Sequence, residues 1–148
     1  MSTELRFTRT PGNFVSESIR AFTRSDWSHV EYKFADGYLG AHIDGGVLLR
    51  PFDYDPKCEF LIARVDCSPE VSARVEAAVR SEIGKPYDLT ALCGILAWRD
   101  WHKMGAWFCS ELFEWGFESS DYPLLRDGRH YNRVTPQDIF ESELVIIP

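Results

Sequence analysis

Across residues 27–50, two glycine-bearing turns, Asp36-Gly37 and Asp44-Gly45-Gly46, cut a stretch rich in aromatic and β-branched residues into three short segments. Turns this tight cannot carry a chain back over a sheet, so segments 27–34, 38–43 and 47–50 are expected to pair antiparallel, as a meander. Residues 5–8 alternate apolar and polar and read as an earlier strand, which Pro11-Gly12-Asn13 ends. Residues 59–65 and the terminal run Leu144-Val145-Ile146-Ile147 read as two more.

Helical spacing governs most of the remainder. Phe14, Val15, Ser18, Ile19 and Phe22 share one face behind a possible Asn13 cap. Ser68-Pro69-Glu70 is strong helix-start chemistry, with Val71, Val75, Ala78, Val79 and Ile83 as the apolar face and Gly84 as the stop. Gly84-Lys85-Pro86-Tyr87-Asp88 turns into a further apolar helix marked by Leu89, Leu92, Cys93 and Leu96, then a loop over 98–105. Residues 119–133 are expected to be irregular, and Thr135-Pro136-Gln137-Asp138 opens a short last helix. Strands first and helices later predict an α+β fold, an antiparallel sheet packed against helices. At 148 residues and 45% hydrophobic content, the chain suits one domain over 1–148.

The net charge of −7, without a local Lys/Arg cluster, argues against nucleic acid as a partner. No apolar run approaches the roughly 20 residues of a membrane span, and the N-terminus lacks the apolar core of a signal peptide, so a soluble cytoplasmic protein is expected. Cys58, Cys67, Cys93 and Cys109 show neither a CxxC pair nor a zinc-like spacing. They read as reduced thiols, with no metal and no cofactor expected. Gly84-Lys85-Pro86 is no phosphate loop, because the glycine spacing and the Lys-Ser/Thr ending are missing.

The chemistry centres on Ala106-Trp107-Phe108-Cys109-Ser110-Glu111-Leu112-Phe113. Leu112, Phe113, Gly116 and Phe117 fall a turn apart, so a helix is expected to begin near Cys109. Unpaired N–H groups in its first turn favour a thiolate there. A cysteine nucleophile also needs an imidazole base and a group to orient that imidazole. His29, near a strand start, is the candidate base; His102 and His130 are weaker alternatives. Strand alternation puts Glu31 on the His29 face, and His42 and Asp44 are the polar residues available on the neighbouring strand. Each of these residues also has an ordinary reading, Cys109 and His29 as core groups and His42 and Asp44 as solvent-facing ones.

Ser28-His29-Val30, the Asp36-Gly37 turn, Gly84-Lys85-Pro86-Tyr87-Asp88, Phe108-Cys109-Ser110-Glu111-Leu112 and Val134-Thr135-Pro136-Gln137-Asp138 occur in one order. Together they resemble the circularly permuted branch of the NlpC-type papain-like cysteine hydrolases, the YiiX-like group related to lecithin retinol acyltransferase. The resemblance implies a papain-like α+β fold with the histidine strand before the nucleophile helix, Cys109 as nucleophile and His29 as base. It also implies that Tyr87 shapes the cleft. The orienting group departs from the pattern: Ala41 occupies the ungapped position, leaving His42, Asp44 or none. Tyr87, Glu31, Asp44 and Trp107 are the expected substrate contacts.

Two function classes follow. One is a cysteine peptidase or amidase acting on a small peptide or acyl substrate, of cell-wall type by the resemblance. The other is a non-catalytic binding or structural module on the same fold, for example a phage or cell-wall-associated component. A thiol redox protein is disfavoured, because no second cysteine lies close in sequence to Cys109.

Overall fold

A computed structural model describes residues 2–90, 93, 105–126, 128 and 134–148. Six strands form one antiparallel sheet: β1 (Thr3–Arg9), β2 (His29–Phe34), β3 (Gly37–His42), β4 (Gly46–Arg50), β5 (Glu59–Val65) and β6 (Val145–Ile146). The described helices are α1 (Phe14–Thr23), α2 (Pro69–Ser81), α3 (Cys109–Glu118) and α4 (Pro136–Phe140). The strand order is β4-β3-β2-β1-β5-β6, so the expected meander fills one half of the sheet and the first strand lies inside it. The α+β expectation holds at this level. Leu92 and Leu96 of the expected third helix, residues 98–104 of the expected loop, and His102 and His130 lie outside the described residues.

Alternation separates the two faces of the sheet. Leu5, Phe7, Val30, Tyr32, Leu39, Ala41, Val47, Ala63 and Val65 form one buried cluster with Val71, Val75 and Val79 of α2 and Leu112, Phe113 and Phe117 of α3. Tyr32 fixes the α3 contact: its ring stacks on Phe113 at 4.3 Å and its hydroxyl donates to the Phe113 carbonyl at 2.6 Å. The opposite face carries Arg6 and Glu31, directly paired across β1 and β2, and is partly covered by the segment after β4. There Phe52 meets Tyr38 edge-on at 5.1 Å and Tyr54 reaches Glu31.

The helix starts follow the sequence closely. Asn13 accepts from the Ser16 N–H at 3.0 Å, Thr135 from that of Asp138 at 3.2 Å and Ser68 from that of Val71 at 3.3 Å. Ser68→Ala is expected to cost about 1 kcal/mol, the usual loss on removing a side-chain cap, and to lower Tm by roughly 2–4 °C in a thermal melt. α2 stops at Ser81, before the expected Gly84, because the Glu82 N–H turns back to the Val79 and Arg80 carbonyls. Ile83 consequently stands outside the helix and is 43% exposed.

One further connection positions the site. The Val47 N–H donates to the Lys85 carbonyl at 2.9 Å, and the Gly84 N–H to the Val47 carbonyl at 3.0 Å. Beyond this, Trp107 N–H to Pro86 carbonyl and Asp88 N–H to Trp107 carbonyl, both 2.9 Å, form a parallel bridge. The 84–88 turn is thereby laced between β4 and the residues that enter α3.

Candidate functional site

Cys109 is the first residue of α3 and Phe108 its cap. Phenylalanine has no acceptor, so half of a capping box forms: the Glu111 carboxylate accepts the Phe108 N–H at 3.1 Å. Ser110 ties the first turn to the far segment by donating to the Val134 carbonyl at 2.5 Å. The Cys109, Ser110 and Glu111 N–H groups are those that helix geometry leaves without an i−4 partner.

The structure brings His29 to Cys109. Burial alone would push the His29 imidazole down, but the neighbouring Cys109 and then Glu31 outweigh it and push the pKa up to about 10. His29 Nε2 stands 3.4 Å from Glu31 Oε2, without forming a hydrogen bond. His29 is the first residue of β2, and the neighbouring strand makes room for it with Gly40. A Cβ there would lie 3.0 Å from Glu31 Cβ and 3.4 Å from His29 Nε2.

Glu31, expected to touch substrate, instead has no exposed surface and stands behind the histidines. Its Oε1 accepts from Arg6 Nη1 at 3.0 Å, and the Tyr54 hydroxyl lies 3.2 and 3.1 Å from its two oxygens. Arg6 is itself buried, its guanidinium 4.2 Å over the Tyr38 ring and its Nη2 2.7 Å from Cys58 Sγ. The carboxylate so held lies next to both imidazoles.

His42 lies beside His29, with ring centroids 4.8 Å apart, and its Nε2 is 3.6 Å from Glu31 Oε2. Burial first, then the positive charge of His29, Arg50 and Arg6, push its pKa down to about 2, so it is the neutral member of the pair. The carboxylate nearest His29 is Glu31, two residues on in the same strand, whereas His42 and Asp44 were the expected orienting groups. Asp44 points outward and pairs with Arg50 at 2.7 Å. Trp107, expected at the substrate, is turned into the core: its indole donates to Glu82 Oε2 at 2.7 Å and its ring packs on Trp115 at 5.1 Å.

A cleft of about 440 Å³ opens over this cluster, walled by His29, His42, Asp44, Tyr54, Tyr87 and the α1 residues Val15 and Ile19. Tyr87, expected from the resemblance to shape the cleft, is on its wall, with its hydroxyl pKa raised by burial and by Cys109. The sulfur itself is not on the surface. Cys109 is 3% exposed and packs with Ile19 and Phe108, with Val15 and Tyr87 against them. Ile19, Val15 and Tyr87 also line the cleft, so the thiol packs against residues of the cleft wall.

Arg6, Tyr54 and Gly40 were not singled out from the sequence. The usable signal for Arg6 was an arginine in an alternating strand otherwise pointing apolar residues inward. Nothing local marks Tyr54, which arrives from an irregular segment. The cysteine spacings gave no metal set, yet one ligand atom each from His29, Glu31 and His42 lie within 4.8 Å of one another. Among the described residues no helix is long and apolar enough to cross a membrane.

Neither protein-family profiles nor curated proteins give a match to this sequence. Among solved structures the chain is similar to one described as metalloprotein yiiX from Escherichia coli O157:H7, with a TM-score of 0.75 and 16% identity over 100% of this chain and 96% of that one. The similarity is one of fold: this chain has a YiiX-like α+β architecture.

Proposed function

We propose that this protein is a cysteine hydrolase of the peptidase or amidase type, built on a permuted papain-like fold, with Cys109 as nucleophile and His29 as base. The observation that carries the reading is one imidazole held between a helix-start cysteine and a buried carboxylate. The order of the parts also supports it, since the histidine strand β2 precedes the cysteine helix α3.

In this reading His29 takes the Cys109 proton and the thiolate attacks a carbonyl carbon. First-turn N–H groups of α3 face the oxygen as it becomes negative. The tetrahedral adduct collapses to a thioester as the protonated His29 returns its proton to the leaving amine or alcohol. Water then adds to the thioester, giving its proton to His29, and the carboxylic acid and thiol are released. Glu31, 3.4 Å from His29 Nε2, is the group beside the imidazole that favours its charged form, the part that the sequence pattern gives to His42 or Asp44. Peptide amides of cell-wall type fit a cleft with mixed polar and apolar walls, and a soluble protein acting in the cytoplasm or within a phage particle fits the composition.

The enclosure of Cys109 is the observation that favours a non-catalytic module. Alkylation decides between them. At neutral pH in EDTA, iodoacetamide is expected to modify Cys109 ahead of the exposed Cys93, read by peptide mass spectrometry. His29→Ala is expected to slow the Cys109 reaction about tenfold or more, since it removes the base that takes the thiol proton. An activated ester should leave an acyl group on Cys109 and none on a Cys109→Ser variant. If Cys93 is labelled while Cys109 stays untouched, the hydrolase reading fails and the module reading stands.

A further inference from the structure

The hydrolase reading leaves His42 without a task. Its side chain is 9% exposed, its Nε2 has no hydrogen-bond partner, and the His29 Nε2 is in the same condition. Two buried imidazole nitrogens facing one carboxylate oxygen are costly unless something lies between them. The spacing identifies what fits. His29 Nε2 and His42 Nε2 stand 3.4 and 3.6 Å from Glu31 Oε2, and one ligand atom from each of the three residues lies within 4.8 Å of the others. An ion bound tetrahedrally at roughly 2.0–2.1 Å sets its ligand atoms about 3.4 Å apart.

We propose that His29, Glu31 and His42 form a site for a divalent transition-metal ion of the zinc type, bound through the two Nε2 atoms and Oε2. The surroundings suit one. Arg6 holds Oε1 and the Tyr54 hydroxyl lies against both oxygens, as the outer partners of ligating carboxylates do, while Oε2 is also the oxygen nearest the two imidazoles. Arg6 also offsets the Glu31 charge, so the set is close to electrically neutral and selects by ligand type: imidazole favours zinc, cobalt and nickel over magnesium and calcium. Both histidines line the cleft, which gives the ion an entry path and leaves its fourth position toward solvent or a ligand. The site takes the His29 Nε2 lone pair, so an occupied site leaves that imidazole unable to accept the Cys109 proton, and the metal-bound and hydrolytic states exclude each other. The ligand set itself does not include Cys109.

The test is calorimetric titration of the full chain, stripped with EDTA and dialysed, with zinc chloride. One ion per chain is expected, with no uptake of magnesium. Cobalt in its place should give the intense visible bands of a tetrahedral site. His42→Ala is expected to weaken zinc binding at least about 100-fold and Tyr54→Phe about tenfold, the range for losing a supporting group. Each variant is first checked by thermal melt, and Tyr54→Phe serves if His42→Ala does not fold. Cys109→Ser should not abolish binding, since it removes no ligand atom, so this site and the hydrolase reading fail separately. No uptake by the wild type, uptake that survives both substitutions, or a loss that follows Cys109 would overturn the assignment.

Discussion

Glu31→Ala is expected to lower the unfolding free energy by about 3–5 kcal/mol, the loss typical of breaking a buried ion pair from one side. The carboxylate has no exposed surface and its partner Arg6 is 2% exposed, so the substitution strands a guanidinium that water does not reach. Tyr54 and both histidines lose their shared neighbour at the same time. A chain of this length should show a fall of roughly 10 °C or more in Tm. The double variant Arg6→Met/Glu31→Leu should recover much of that, because it removes the unpaired charge along with the pair. Circular-dichroism melts of the three proteins check both statements. A single-variant loss within about 1 kcal/mol would mean that the pair is solvated and the cluster looser than described.

The second large effect is expected at Gly46→Val. Gly46 has φ +76°, a region a β-branched residue avoids, and a Cβ there would stand 2.2 Å from the Lys85 carbonyl oxygen and 3.1 Å from Pro86 Cα. Backbone strain of about 1–3 kcal/mol adds to an overpacking cost of about 1–3 kcal/mol, so a total near 4 kcal/mol is expected. The contacted atoms are main chain and cannot swing aside. The alternative to unfolding is to push the 84–88 turn off β4, which moves Tyr87 and the strand segment entering α3. Melting measures the first outcome. Altered Cys109 alkylation in a variant that still folds measures the second. A variant that melts and labels like the wild type would show that β4 and the turn are not locked together.

Much of the fold is legible locally because its signals are local. Asn13, Ser68 and Thr135 cap their helices through side chains that the sequence names, and the Asp36-Gly37 turn sets the β2–β3 register Phe34↔Gly37. The order of strands is a different kind of information. That β1 lies between β2 and β5 depends on pairings such as Phe7↔Leu61, for which no neighbouring residue gives a cue. The site divides the same way. Cys109 at a helix start and His29 at a strand start are visible as residue types at element ends. Alternation also put Glu31 on the His29 face, but not that Arg6 and Tyr54 would bury it, because that burial is made by two other segments. Trp107 follows the same rule: its position next to Cys109 is evident, but the Glu82 carboxylate that draws its indole inward comes from the residue that ends α2.

A first strand placed mid-sheet also sets a timetable for synthesis. β2, β3 and β4 are joined by short turns and can pair as soon as they leave the ribosome, whereas β1 cannot gain its second neighbour until residue 65 has emerged. The imidazole therefore belongs to a nascent hairpin and the sulfur to a helix made much later. Until that late helix docks, Cys109 and His29 are not neighbours, and a truncated or stalled chain lacks the assembled cluster.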